Sequence, residues 1–292
     1  MMRKFILSIA VFLTIIICCF PTVTRAAGVA KVNGVEYATV QEAINAAKNG
    51  DTVTLLSDSM VNDAVIIDKS IVIEGERCEI YYTGGYAALI IPYSDGSKHN
   101  VTLKNMRIAA KKAERGISYE NGGTLTLDDV IIGGYNNEIP FYALYLTLDS
   151  SNASININNC SLNGRYGIYI WGQKMTISIH DTKIYSDDYS DTEDYAAIAL
   201  NSSDIYTAEG TVINITESLI IAKDEDKFPS VAIFNGTLTG EVNVDEQTKI
   251  EGIRKEIIAF VETEAERALF FKLQDAINYA ITHDKPVEII RD

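Results

Sequence analysis

Asp128 and His180 are a carboxylate and an imidazole, the types a proton-transfer step needs, and each directly follows an apolar-x-apolar triplet. Arg115 stands immediately before a Gly-Ile pair and Arg165 two residues before another. Tyr145, Tyr169 and Trp171 are flat rings with a polar edge, able to stack on sugar rings at a wet surface. Two acidic runs follow, Asp187, Asp188, Asp191, Glu193 and Asp194, then Asp224, Glu225 and Asp226. Oxygen-rich loops brought together could hold Ca²⁺, but the spacing matches no EF-hand loop, and a solvated charge run has the same composition. His99, His180 and His283 are the only histidines, so no Cys/His metal cluster and no cofactor other than calcium is expected.

The elements that must position these groups are read from repeats. An apolar-x-apolar phrase, a residue pair often ending in Asn or Asp, and a further apolar residue recur along the chain. The copies are Val101-x-Leu103 with Asn105 and Ile108, Leu125-x-Leu127 with Asp129 and Ile132, and Ile155-x-Ile157 with Asn159 and Leu162. Ile177-x-Ile179 with Asp181 and Ile184, Ile213-x-Ile215 with Glu217 and Ile220, and Val242-x-Val244 with Glu246 complete the set. Between them lies a second phrase, small-apolar-x-large: Gly116-Ile117-Ser118-Tyr119, Ala143-Leu144-Tyr145-Leu146, Gly167-Ile168-Tyr169-Ile170 and Ala197-Ile198-Ala199-Leu200. Both have period two and predict strands with one buried face. Asn and Asp mark a tight bend between short strands, because they tolerate left-handed backbone angles. Such a unit cannot bury its apolar face alone and must stack on its neighbours. The predicted class is all-β, a right-handed single-stranded parallel β-helix of about six coils. A β-sandwich would not need the same phrase at every turn.

Stacking turns sequence-distant residues into columns about 4.8 Å apart per rung. One outward column reads Lys104, Asp128, Asn158, His180, Thr216, which puts Asp128 and His180 two rungs or ~10 Å apart, beyond direct proton relay. A solvated polar column is the plainer expectation there. With Leu144 and Ile168 facing in, Tyr145, Tyr169 and Trp171 face out on adjacent rungs, unless loops such as residues 133–141 cover them.

Thr39 and Glu42 form a Thr-x-x-Glu capping box, and Val40, Ala43, Ile44 and Ala47 share one helical face, so a capping helix closes the first coil. The phrase Val40-Gln41-Glu42-Ala43-Ile44-Asn45, the run Gly50-Asp51-Thr52-Val53-Thr54-Leu55 and the coil repeats span residues 35–250. In these the chain resembles the right-handed β-helix, or pectate-lyase-like, superfamily. That resemblance implies the fold; its enzymes include pectate lyases, with calcium-binding acids and an arginine base, and polygalacturonases, with clustered aspartates. It makes Arg115 and Arg165 candidates for a lyase base. No Asn-Thr-Asp phrase occurs, and no arginine stands beside a proline as the lyase motif requires. Near the other end, Leu273-Gln274-Asp275-Ala276-Ile277-Asn278-Tyr279-Ala280 repeats the cap phrase, and Val287-Glu288-Ile289-Ile290 repeats the strand after it. Residues 253–292 are therefore a C-terminal helical cap or the start of a second β-helix module, with 27–252 the first.

Arg3 and Lys4, the apolar stretch at residues 5–20 and Thr24-Arg25-Ala26 read as a cleavable signal peptide over residues 1–26. The stretch is short for a membrane span, and Ile17 before Cys18 does not suit lipidation. Cleavage removes Arg3, Lys4 and Arg25 and no acid, deepening the net charge from -15 to -18. That argues against nucleic acid and anionic membrane surfaces. The six Asn-x-Ser/Thr phrases are what Asn- and Thr-rich turns produce by composition. Cys78 and Cys160 fall in different coils, with Cys160 expected in the core rather than in a disulfide. The expectation is a secreted or cell-surface protein binding an extracellular polysaccharide or a surface protein. A polysaccharide lyase or glycoside hydrolase, or a structural stalk, are the alternatives.

Overall fold

The computed structural model describes residues 28–93, 96–110, 113–133, 139–186, 195–201, 208–222, 231–263 and 267–290. The protein is all-β with two described helices, and its strands are mainly parallel. They form three stacks. The first contains Thr52–Leu55, Val72–Glu74, the opening halves of Asn100–Ala110 and Thr124–Ile132, then Ser154–Asn158, Thr176–His180, Val212–Thr216 and Glu241–Val244. The second contains Ser59–Val61, Glu79–Tyr82, the closing halves of the same two long strands, Ser161–Gly164, Lys183–Ser186, Leu219–Ala222 and Lys249–Glu251. The third contains Val65–Ile66, Ala87–Ile91, Arg115–Tyr119, Tyr142–Leu146, Tyr166–Ile170, Ala196–Leu200, Val231–Asn235 and Ile253–Glu256. The chain visits first, second and third stack in turn and makes that circuit eight times among the described residues. The repeat phrase marks six of these. The opening circuits carry Val53-Thr54-Leu55 and Ile71-Val72-Ile73 followed two residues later by Ser57 and Gly75, where the other copies have Asn, Asp or Glu, so a count of the phrase passes over them.

Leu103, Leu127, Ile157, Ile179 and Ile215 are register partners from rung to rung, and none is more than 1% exposed. Each side chain so buried contributes about 1.5–3 kcal/mol relative to exposure. The bends between first and second stacks are left-handed at the positions the sequence marks: Asn105, Asp129, Asn159, Asp181 and Glu217 have φ of 48°, 55°, 50°, 45° and 50°.

The residue after each bend forms a polar column inside the turn. Val130 N donates to Cys160 Sγ (3.4 Å), Cys160 N to Thr182 Oγ1 (3.2 Å), Thr182 N to Ser218 Oγ (3.1 Å) and Ser218 N to Thr248 Oγ1 (3.1 Å). Cys160 is thus buried, but as a hydrogen-bonding member of a ladder rather than an apolar filler. The register puts Cys78 in the same column with Met106 and Val130 between, three rungs or ~14 Å from Cys160. Both thiols are free. Burial pushes the Cys160 thiol up to about 12, against the lowering effect of its hydrogen bonds with the backbone of Val130 and Asn158.

At the N-terminal end, Ala30–Val32 pairs antiparallel with both Val35–Tyr37 and Thr52–Leu55. Helix α1 (Val40–Ala46) lies between these strands in sequence. Its N-cap Thr39 accepts the Glu42 N–H at 3.1 Å, and Val40, Ala43 and Ile44 are buried against the stack. Helix α2 (Leu273–His283) packs in a separate three-stranded antiparallel sheet near the C-terminus.

Candidate functional site

The third stack carries the aromatic face, and its shape follows from one small residue per rung. A Cβ on Gly116 would lie 2.5 Å from the Ile132 side chain, and one on Gly167 2.3 Å from that of Ile184. The small position of the Gly/Ala-Ile-x-large phrase therefore points inward into a corner against the second stack. Ile117, Leu144 and Ile168 point inward as well. Two outward columns result, three residues apart: Arg115, Tyr142, Tyr166 and Ser118, Tyr145, Tyr169. Strict alternation from Leu144 would have buried Tyr142. For this reason the sequence pattern yields Tyr145, Tyr169 and Trp171 and omits Tyr142 and Tyr166.

These rings form one contiguous surface. Tyr145 and Tyr169 are stacked at 5.6 Å between centroids and 11° between planes, and Tyr142 and Tyr166 at 5.5 Å and 24°. The columns interlock, with Tyr142 4.8 Å from both Tyr145 and Tyr169. Trp171 meets Tyr169 edge-on at 5.7 Å, and Phe141, from the loop before the strand, meets Tyr142 at 4.6 Å. Tyr195 closes the far side edge-on to Tyr166 and Phe141. Because rings in one column face each other along the stack, their edges rather than their faces are presented to the surface. Tyr142, Tyr145, Tyr166, Tyr169 and Trp171 are all half-buried. Below them Ala196, Ala199 and Val231 are buried in a small apolar cluster with Tyr166, Tyr169 and Phe234, separate from the main core.

Arg115 borders this face. Its guanidinium lies 4.0 Å from the Tyr145 ring centre and 4.6 Å from that of Tyr86. It donates to Tyr86 Oη (2.6 Å), Ser118 Oγ (3.1 Å) and Glu114 Oε1 (3.0 Å), with Glu120 Oε1 at 3.9 Å. Held by two carboxylates and two rings, this guanidinium orients Tyr145 and Tyr86. Arg165 lies near Phe141 (5.3 Å) and Tyr195 (5.8 Å) on the other border. Asn201 Nδ2 donates to Tyr169 Oη. Burial raises the pKa of Tyr142 and Tyr169 well above the ordinary phenol value. Tyr145 is also raised by burial, against the opposing effects of Arg115 and a hydrogen bond with Trp171. Burial keeps the phenols of the face neutral, and Arg115 and Arg165 stand at its two borders.

The polar column lies on the first stack. Lys104, Asp128, Asn158, His180 and Thr216 are successive register partners, so Asp128 and His180 sit two rungs apart with Asn158 between. His180 Nδ1 is 3.0 Å from Thr216 Oγ1 and the ring is exposed. Arg115 belongs to the third stack and Arg165 directly precedes one of its strands, whereas Asp128 and His180 lie on the first stack. The calcium candidates Asp187, Asp188, Asp191, Glu193, Asp194, Asp224, Glu225 and Asp226 lie outside the described residues. Among the described residues, no group of three or more His, Cys, Asp or Glu is placed to hold a metal ion. Among the same residues, no helix is long and apolar enough to cross a membrane.

Comparisons with family models, with curated proteins and with solved structures found no match.

Proposed function

We propose that this chain is an extracellular binding module, wound as a right-handed parallel β-helix of the pectate-lyase-like kind, whose aromatic face engages a polysaccharide. One observation carries the reading: Phe141, Tyr142, Tyr145, Tyr166, Tyr169 and Trp171 are in continuous ring contact on neighbouring rungs, with the Arg115 guanidinium at their border. Rings that recur rung by rung suit a chain-like ligand running along the stack. The phenol hydroxyls, the Arg115 cluster and Glu120 supply hydrogen bonds, and ring edges supply apolar contact. The formal charge, -15 for the full chain and -18 once residues 1–26 with Arg3, Lys4 and Arg25 are removed, disfavours polyanions, so the ligand class is a neutral glycan. The segment at residues 1–26 directs export in this reading, leaving Ala27 as the first residue of the secreted form.

Affinity electrophoresis of the full secreted protein through gels containing neutral polysaccharides tests this. Retardation is expected in at least one gel, weakened tenfold or more by Tyr169→Ala and by Trp171→Ala with far-UV circular dichroism unchanged. Free mobility across the whole panel would overturn the reading. So would release of reducing ends or unsaturated products on incubation with polysaccharides with and without Ca²⁺. That outcome would assign a hydrolase or lyase, with Arg115, Arg165, Asp128 and His180 the residues to mutate first.

A further inference from the structure

The C-terminal sheet duplicates the N-terminal cap in topology, and only one of the two is filled. At the N-terminus the order is strand Ala30–Val32, strand Val35–Tyr37, helix α1, strand Thr52–Leu55, the first strand pairing antiparallel with the other two. At the C-terminus the order is Ala259–Glu262, Arg267–Phe270, helix α2, Glu288–Ile289, paired in the same way. The registers match as well: Ala30 faces Tyr37 and Leu55, and Ala259 faces Phe270 and Ile289.

In the N-terminal copy, a coil of chain occupies the apolar side. Val72–Glu74 pairs in parallel with Thr52–Leu55. The side chain of Gln41 clasps the main chain of Ile66, accepting its N–H at 2.7 Å and donating to its carbonyl at 3.1 Å, while Gln41 Nε2 also bonds Asn45 at 2.9 Å. Gln274 and Asn278 stand at the same helical positions and make the same bond to each other at 3.0 Å. Among the described residues, Gln274 has no counterpart of Ile66, and Glu288–Ile289 pairs on one edge only. Exposure follows occupancy. Val40 and Leu55 are 0% and 1% exposed, whereas their equivalents Leu273 and Ile289 are 40% and 58%. A groove of about 440 Å³, lined by Ile277, Ala280, Ile281, Pro286 and Val287 among others, lies where the coil would sit.

We propose that this C-terminal unit is a docking cap for one further coil of parallel β-solenoid, an extended segment with the apolar alternation of residues 56–74. Its strand would add in parallel to the free edge of Glu288–Ile289, with its main chain clasped by Gln274. Main-chain pairing along an open edge supplies affinity, and apolar side chains entering the groove supply selectivity.

Hydrogen–deuterium exchange on the full chain, with and without a millimolar synthetic peptide of residues 56–76, tests this. Exchange of amides in 273–290 should slow at least threefold with the peptide and remain unchanged with a scrambled peptide. Gln274→Ala should reduce the protection and Ile289→Asp should remove it. Both side chains are exposed, so neither change threatens folding, and circular dichroism checks this. Equal protection by the scrambled peptide, or none by the native one, would overturn the proposal. Self-association abolished by Ile289→Asp and excluding the peptide would also overturn it, by making a second copy the occupant.

Discussion

At the bend leaving the first stack, the backbone turns left-handed in every repeat from Asn105 to Glu217. That conformation costs an ordinary L-residue about 1–2 kcal/mol, less for Asn or Asp, whose short polar side chains bond locally. Asn159→Val should therefore lower the urea midpoint by an amount corresponding to about 1–2 kcal/mol, and Glu217→Gly should raise it. In the column beside this bend, Cys160→Thr should be nearly neutral, because Thr182 already fills the next place with the same bonds. Cys160→Val leaves the Val130 N–H without its acceptor and should cost about 1–3 kcal/mol. Chemical denaturation of the four variants checks the ordering. Asp245 sits in a related turn, where bonds from the Thr248 side chain and from the backbone of Thr248 and Glu217 hold its carboxyl below the usual aspartate value. A depressed folded-state pKa stabilises the fold fully above the unfolded value of about 3.9, and that stabilisation disappears as pH falls through the folded value. The gap in stability between the native chain and Asp245→Asn should be constant above pH 5 and close below pH 4. The bend residues were legible in the sequence because Asn and Asp announce left-handed geometry. The ladder role of Cys160 was not, because a buried thiol reads equally well as a small apolar residue.

Among the elements, the third stack decides where aromatic rings can gather. Gly116, Ala143 and Gly167 take the inward corner, and this places outward residues three apart instead of two. Period-two reading recovered Tyr145 and Tyr169 but could not see Tyr142 and Tyr166, since a corner breaks the alternation without breaking the strand. Arg115 was marked for chemistry by its place in the repeat. Its clamp of Tyr86, Tyr145 and two carboxylates comes from neighbouring rungs, which spacing within one repeat does not show. The raised phenols give this face a signature. Tyr142, Tyr145 and Tyr169 should ionise above the ordinary phenol value near 10, visible as a late absorbance rise in a spectrophotometric alkaline titration. Tyr142→Phe and Tyr169→Phe should each remove part of that late rise and leave the early one intact.

For the whole molecule, the central observation is a single interior row shared by successive circuits, and each large residue in it supports the rungs on both sides. Leu127→Ala should cost about 2–5 kcal/mol, more than the same change at an exposed position, with one cooperative transition in thermal melts. The row itself was readable from the repeat phrase. The full depth of eight strands per stack was not, because the opening circuits have Ser57 and Gly75 where the phrase calls for Asn or Asp. The proposed binding face lies mid-stack, flanked by rungs that hold its columns in register. The sequence contains one tryptophan, Trp171, and it sits at the edge of that face. Titration of the full chain with soluble neutral polysaccharides, followed by Trp171 emission, is the most direct test of the account. A saturable shift in emission that Tyr169→Ala weakens tenfold is the predicted result. Emission unchanged by every glycan, while the same protein binds one of them elsewhere by calorimetry, would contradict it.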